Sequence, residues 1–381
     1  MRHLALLCTA GALVAIACVR IWPAADDPVS WTPDALYYQA QLLEIRGADH
    51  DEAIAKTFEG PLSAELRGRD PLHTGNPKWV AYNEPFYERR LALPLAGAAL
   101  YPAEHDRSLL DLSLAGYVAA ILAVFGLLLL RFRLAIAAAV ALATAFLPPL
   151  LHHSSFPLTD SWGVALEATA FAAAILTLDR DRRWLALWVP AILVLSFTRD
   201  STWIPVLAAG WCAWRLRSRS AVWLFGTGVA AALPALLVFR VPVQNLLALL
   251  VNDGNVPSDT SWGFIVRHYP GAVVDLIRAN AGFLRDGEWY TAIYFLGAGL
   301  LLVLCLLRQR RRDPVLTLMA AAAVLSVLYV LAAPSFSAFR LELAFVPVAA
   351  YAFALAAQGL LGRVAGREPA GERVAVGSPG P

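Results

Sequence analysis

Acidic and aromatic side chains lie close together directly after the first long apolar run of this sequence. Pro33 precedes Asp34, and Tyr37 and Tyr38 follow at three and four residues from the acid. Proline before an acid is typical of a helix start, and this spacing places the three side chains on one helical face. Such a cluster beside a membrane span is a candidate functional site. A helix start lying on the membrane surface would give the same pattern.

A second cluster brings basic side chains next to aromatic ones. Arg89 and Arg90 follow an aromatic segment that begins at Tyr82, and an apolar stretch continues to Leu100. Arginine presents a fork of donors that matches phosphate oxygens, so the pair is a candidate site for a lipid phosphate. The alternative is that both side chains simply extend to the lipid headgroups.

The third cluster contains histidines and acids. His153 follows His152, and Asp160 and Glu167 are seven residues apart, which places both acids on one face of a helix. Glu167 would lie about 10 Å deeper than Asp160, where an acid must face protein or water rather than lipid. Neighbouring histidines point in different directions, so we expect no metal site on them.

Two further charged positions border apolar segments. Arg199 and Asp200 lie in the turn between two short apolar segments, and Arg340 begins the last one. The short arms of the hairpin place its turn below the membrane surface. Arg199 and Asp200 then form either a ligand site or an ion pair that holds two helices together.

The elements that position these residues are apolar runs long enough to cross a bilayer, which takes about 20 residues. Eight runs qualify: Leu4–Trp22, Leu110–Leu130, Leu134–Leu151, Ser161–Leu178, Ala221–Phe239, Trp289–Leu307, Pro314–Ala333 and Leu341–Leu361. Two shorter runs, Trp184–Thr198 and Thr202–Trp214, form the hairpin. The sequence therefore predicts an all-α polytopic membrane protein with about ten transmembrane helices.

Arginine-rich turns occur at every second connection between these runs. They predict a plasma (inner) membrane protein whose N- and C-termini are cytoplasmic. Residues 23–109 and 240–288 then form large extracytoplasmic loops, the first of which carries interfacial helices. Residues 1–361 make one transmembrane domain, and residues 362–381 are predicted to be a disordered cytoplasmic tail. The first run also resembles a secretory signal, but its continuation to Trp22 favours an uncleaved span.

Composition supports this class and excludes others. The chain is 59% hydrophobic and 16% charged, against about 45–50% and 25% in soluble domains. A net charge of +2 gives no basis for nucleic-acid binding. The four cysteines lie inside apolar runs, so neither a disulfide framework nor a cysteine metal site is expected. No cofactor is predicted, although a divalent metal is not excluded.

The pattern resembles the GT-C superfamily of integral membrane glycosyltransferases, and is similar to the protein O-mannosyltransferases and the aminoarabinose transferases of lipid A. The features that carry the resemblance are a first span followed by a large outer loop with Asp34 near aromatics, a second acid at Asp160, and an arginine-bearing hairpin at Arg199. Many members have adjacent acids at the first position. Here Ala35 follows Asp34 and the Asp26-Asp27 pair lies nearer the span, so the identity of the base stays open.

The resemblance implies transfer of a sugar from a polyprenyl-phosphate donor, with inversion, to a glycan, lipid or protein acceptor of the cell envelope. Asp34 would be the general base, and Asp160 a second catalytic residue that orients the acceptor or sugar hydroxyls. The implied substrate-binding residues are Tyr37, Tyr38, Arg89, Arg90, His153, Glu167, Arg199, Asp200 and Arg340. Two alternatives remain: a multi-spanning transporter or lipid flippase, and a non-catalytic subunit with a GT-C-like fold.

Overall fold

The structure, a computed structural model, describes most of the chain, namely residues 2–26, 30–69, 74–100, 107–239, 242–285, 289–308, 313–334 and 339–365. These residues form α-helices and short 3-10 or π-helical turns, and no β-strand occurs among them. The helices are α1 (Arg2–Asp26), α2 (Pro33–Ile45), α3 (His50–Ile54), α4 (Ala64–Arg69), α5 (Pro77–Asn83), α6 (Ala92–Leu100), α7 (Ser108–Leu129), α8 (Leu134–Ala145), α9 (Pro148–Ser154), α10 (Asp160–Asp179), α11 (Leu185–Ser196), α12 (Trp203–Leu216), α13 (Arg219–Val238), α14 (Val243–Val251), α15 (Trp262–Arg285), α16 (Trp289–Ala292), α17 (Ala298–Arg308), α18 (Pro314–Ala332) and α19 (Val346–Ala365). The predicted all-α class is confirmed.

Several helices are long and apolar enough to cross a membrane. Within the described residues there are six: His3–Asp26, Ser108–Leu129, Asp160–Asp179, Arg219–Val238, Pro314–Ala332 and Leu341–Leu361. The chain is thus an α-helical, multi-pass membrane protein, as predicted. Helices α11 and α12, with 12 and 14 residues, are shorter than these spans.

The apolar run Leu134–Leu151 is not the continuous span that its length predicts. It is divided into α8 and α9, whose axes meet at 58°. Helix α9 begins at Pro148, and the proline ring cannot continue a preceding helix without a break. The bend turns α9, which carries His153, toward α10.

Helix α10 lies at the centre of the bundle. It packs against α7, α11 and α13. In its most apolar stretch of 18 residues, 72% of the residues are buried. Gly116 of α7 permits close approach, because a Cβ there would lie 2.6 Å from Ser161 Oγ. Ser161 Oγ donates to the Ser113 carbonyl at 2.9 Å, and Trp162 Nε1 donates to the Leu112 carbonyl at 2.7 Å. These bonds fix the first turn of α10, where Asp160 lies.

Helix α2 is packed inside the protein. Thr32 caps it, with Oγ1 accepting from the Ala35 amide at 3.2 Å, and Pro33 occupies the first turn as predicted. Leu36 and Tyr37 pack in a small core with Phe58, Trp79 and Val80. The alternative of a helix resting on the membrane surface does not account for this burial.

The two large loops contact each other. Trp79 Nε1 donates to the Gly254 carbonyl and Tyr82 Oη to the Asn245 carbonyl, each at 3.0 Å. The predicted tail, residues 362–381, differs in part: α19 continues to Ala365, and residues 366–381 lie outside the described residues.

Candidate functional site

Seven of the predicted site residues form two adjoining groups of ion pairs, which meet where Arg90 lies over the Tyr87 ring and which together we call the arginine–aspartate network. Its members come from distant parts of the chain and are Asp34, Arg89, Arg90, Asp160, Arg199, Asp200 and Arg340. The network lies where the first turns of α2 and α10 meet the turn between α11 and α12. Sequence reasoning selected all seven residues, and the fold brings them together.

Arg340 joins the two predicted catalytic acids. Its Nε donates to Asp160 Oδ1 and Oδ2 at 2.9 and 3.0 Å, and its Nη1 donates to Asp34 Oδ2. Asp160 also accepts from Arg199 Nη1. The Asp160 side chain is 0% exposed and that of Arg199 is 6% exposed, so this pair is shielded from solvent. A buried carboxylate held by two guanidinium groups is a rigid anchor for both.

Asp34 is held in its ionised form. Burial alone would raise its pKa, but the charge of Arg340 and hydrogen bonds from Tyr87 and Arg340 outweigh that effect and lower it below the ordinary value of 3.8. Tyr87 donates its hydroxyl to Asp34 Oδ1. The Tyr87 ring stacks on Tyr37 at 4.5 Å and meets the edge of Tyr38 at 5.9 Å. The predicted shared face of α2 is therefore the face that receives Tyr87.

Asp200 is the acceptor for the neighbouring arginine pair. Arg90 Nη2 donates to Asp200 Oδ2 at 2.9 Å, and Arg89 Nη2 contacts Oδ1. Arg90 Nη1 also donates to Tyr38 Oη at 3.2 Å, which lies 3.4 Å from Thr159 Oγ1. Arg89 and Arg90, whose alternative role was contact with lipid headgroups, are thus held inside the protein.

Arg199 and Asp200 do not pair with each other, so the ion pair predicted as one alternative for them is wrong. Arg199 pairs with Asp160, and Asp200 pairs with the neighbouring arginines. Arg199 has extended backbone angles, φ −149° and ψ 153°, and in extended backbone successive side chains point to opposite sides. Gly163 allows Arg199 to cross α10, since a Cβ at Gly163 would lie 2.8 Å from Arg199 Cγ. Arg199 reaches Asp160 by this route.

The other predicted residues surround the network. His153 is buried and lies near enough to Asp160 to act on it electrostatically. Glu167 is buried deeper on α10, near Arg199 and Ser201. Tyr37 donates its hydroxyl to the Val80 carbonyl at 3.0 Å, so packing accounts for its position.

The alternative acids of the first loop differ from Asp34 in position. Asp26 is exposed at the end of α1 and forms none of the ion pairs of the network. Asp27 lies outside the described residues. Of the acids that can be compared, Asp34 is the one within the network.

Two residues of the site have no clear signal in the sequence. Tyr87 stands in an aromatic segment, but only its contact with α2 identifies it as the partner of Asp34. Phe339 has a left-handed backbone, φ 62°, which is rare for a bulky residue. Its ring stacks on Phe295 at 6.0 Å, and the conformation directs the next residue, Arg340, into the network.

The network as a whole favours an anion. Four arginines face three aspartates, which leaves one positive charge in excess. Arg90 Nε and Arg340 Nη2 are buried and have no hydrogen-bond partner among the described residues, which is costly for a charged donor. Forked guanidinium donors of this kind bind carboxylate or phosphate oxygens.

Comparison with protein-family models, with curated proteins and with solved structures finds no match for this chain. The interpretation of the site therefore depends on its own residues and geometry.

Proposed function

We propose that the chain is a membrane glycosyltransferase of the GT-C type, which moves a sugar from a polyprenyl-phosphate donor to a cell-envelope acceptor. The observation that carries the proposal is the arginine–aspartate network itself. It unites a carboxylate suited to act as base, Asp34, with arginines suited to a phosphate. An arrangement of about ten spans with cytoplasmic termini would place the network on the extracytoplasmic face.

The reaction needs one proton acceptor and one stabilised leaving group. The acceptor oxygen attacks the anomeric carbon and loses its proton to Asp34. The bond between that carbon and the phosphate oxygen breaks, and its electron pair leaves with the lipid monophosphate. Attack opposite the leaving group inverts the configuration. Arg89, Arg90 and Arg340 are the groups suited to stabilise charge that develops on the phosphate.

The ion pair between Arg340 and Asp34 gives this reaction an order of events. Asp34 Oδ2 is occupied by Arg340 Nη1, so the base is blocked until a competing anion takes that donor. A donor phosphate can do so while Arg340 Nε stays on Asp160, 2.9 Å away. Donor binding would thereby free Asp34 for the acceptor hydroxyl. In this scheme Asp160 is a positioning residue for Arg340 and Arg199.

The test is transfer by the purified full-length chain in proteoliposomes. The donors are radiolabelled hexoses and pentoses on polyprenyl monophosphate, and the acceptor is a cell-envelope extract. We expect Asp34→Asn to lower the transfer rate by about 10²–10⁴-fold, the range for loss of a general base. Asp275→Asn is the matched control, because the Asp275 side chain is 74% exposed on α15 and distant from the network in the chain. Full activity of Asp34→Asn would show that the base is misassigned.

One observation favours a second candidate, a transporter or flippase. The bend of 58° between α8 and α9 gives a discontinuous helix, and discontinuous helices are common in transporters. The same proteoliposomes distinguish the two functions. Movement of lipid or solute across the bilayer without sugar transfer would favour the transporter, and absence of both activities would favour a non-catalytic subunit.

A further inference from the structure

A second cluster of ionisable side chains lies at the far end of α2 from Asp34. Glu44 is in the last turn of α2, His50 is the first residue of α3, and Glu84 begins the 3-10 turn that follows α5. Three separate elements therefore converge on one point. We call these three residues the His50 cluster.

The two carboxylates of the His50 cluster contact different nitrogens of the same imidazole. His50 Nδ1 lies 2.7 Å from Glu44 Oε1, and His50 Nε2 lies 3.2 Å from Glu84 Oε1. One ligand atom from each residue can be chosen so that all lie within 4.8 Å of one another. Ligands at about 2.0–2.2 Å from a tetrahedral zinc ion lie about 3.3–3.6 Å from one another. The carboxylates would therefore move inward to bind one ion together with a single ring nitrogen.

An adjoining cavity extends the acidic surroundings of the cluster. It has a volume of about 160 Å³ and shares Glu44 and Glu84 with the cluster, and Glu88 adds a third carboxylate. No arginine or lysine occurs among the described residues that line it. Gln41 also lines the cavity, and its Oε1 is buried without a hydrogen-bond partner. The charged side chains described along this cavity are therefore all acidic, whereas the rest of its lining is largely apolar.

The charge of the cluster favours a divalent ion over a proton. Two carboxylates face a single imidazole, so a protonated His50 would neutralise only one of them. A divalent cation would neutralise both and leave the imidazole neutral, which is its ligand form. One nitrogen and two carboxylate oxygens suit Zn²⁺ or Mn²⁺ better than Mg²⁺ or Ca²⁺, which prefer oxygen ligands alone.

We propose that Glu44, His50 and Glu84 bind a structural divalent cation of the Zn²⁺ or Mn²⁺ class. The ion links the end of α2, the helix that begins with Asp34, to the segment that continues into Tyr87 and the arginine pair. Glu84 precedes Tyr87 by three residues, so the ion holds both sides of the Asp34–Tyr87 contact. This inference is independent of sugar transfer, because it concerns only metal binding and stability.

The experiment uses the full-length protein, purified in detergent without a polyhistidine tag and freed of metal by a chelator. Zn²⁺ or Mn²⁺ is added and unbound metal removed, and bound metal is then measured by mass spectrometry and affinity by calorimetry. We expect about one ion per chain and a metal-dependent rise in the unfolding temperature. His50→Ala and Glu84→Gln should each weaken binding by about tenfold or more, because even loss of an outer-shell partner costs 10–100-fold.

His268→Ala is the matched control, since His268 is an exposed histidine of α15 whose Nδ1 contacts the Phe264 carbonyl. It should bind metal as the unaltered protein does. Absence of metal from the unaltered protein, or equal binding by His50→Ala, would overturn the proposal. A failure of sugar transfer with intact metal binding would instead concern only the proposed function.

Discussion

The arginine–aspartate network and the His50 cluster lie on either side of the same tyrosine and have opposite charge. Tyr87 donates to Asp34 on one side and lines the acidic cavity on the other. The network is deeply shielded and has more cations than anions. The His50 cluster is more open, with the His50 side chain 52% exposed, and has more anions than cations.

This difference indicates which ligand each region can bind and what its loss would cost. A buried network leaves uncompensated charge when one partner is removed, whereas exposed pairs are screened by water and contribute little. We therefore expect substitutions in the network to affect stability and catalysis, and substitutions in the His50 cluster to act through the metal. The following predictions test this contrast.

The largest effect on stability should follow Asp160→Asn. The substitution removes the buried negative charge that Arg199 Nη1 and Arg340 Nε share. Removal of one partner from a buried ion pair costs about 3–5 kcal/mol. Denaturant unfolding in detergent should show this loss, whereas Asp275→Asn should leave the midpoint unchanged. An unaltered midpoint for Asp160→Asn would mean that the network is hydrated rather than buried.

A smaller effect should follow Arg340→Lys, which keeps the charge but removes the fork. Arg340 uses Nε for Asp160 and Nη1 for Asp34, and a lysine has one nitrogen for both. We expect a fall in transfer rate of about 10–100-fold, the equivalent of about one charge-assisted hydrogen bond. Arg278→Lys, an exposed arginine of α15, is the control. Equal rates for Arg340→Lys and the unaltered protein would show that charge alone is sufficient.

The sequence allowed much of the network to be predicted, because intramembrane and near-membrane charges are rare enough to be conspicuous. Asp34 is predicted from the proline and the tyrosines around it, and Asp160 and Arg340 from their positions next to apolar runs. The pairing could not be predicted, since it depends on the extended backbone at Arg199 and on the absence of a side chain at Gly163. Neither the backbone conformation of Arg199 nor its passage over Gly163 can be inferred from the spacing of residues in the sequence.

The fold was predictable to a similar extent. Apolar length predicted the long spans, but not the break at Pro148, where the run looks continuous by hydropathy alone. The His50 cluster was missed because Glu44, His50 and Glu84 stand on three separate helical elements and have no metal-ligand spacing in the sequence. Their convergence depends on the packing of α2 against the segment near Tyr87, which is a tertiary property.

Tyr87→Phe should have a modest effect. It removes one hydrogen bond to Asp34 but retains the ring that stacks on Tyr37. A single hydrogen bond to a charged group is worth about 1.5–3 kcal/mol, and Arg340 still holds the carboxylate. We expect the transfer rate to change by less than with Arg340→Lys, and metal binding at the His50 cluster to be unchanged. Loss of metal from Tyr87→Phe would show that the two regions are coupled through this residue.

The smallest effect should be that of pH on the base. Arg340, Tyr87 and Arg90 face Asp34 and, against the opposing effect of burial, lower its pKa below 3.8. A group with a depressed pKa is ionised above that value, so its ion pair with Arg340 is retained from pH 8 to pH 5 and is lost only as the pH falls through the lowered pKa. At donor concentrations far below saturation, where the rate reflects groups of the free protein, the transfer rate should therefore show no acidic decline attributable to Asp34 in this range. The protein is loaded with metal before initial rates are measured, so that metal occupancy of the His50 cluster is the same at every pH. At saturating donor, a decline with an apparent pKa between 5 and 7 would mean that the bound phosphate has taken Arg340 away and raised the pKa of Asp34, and its size would measure how completely that arginine is displaced. The same decline at low donor would contradict the lowered pKa of Asp34 in the free protein.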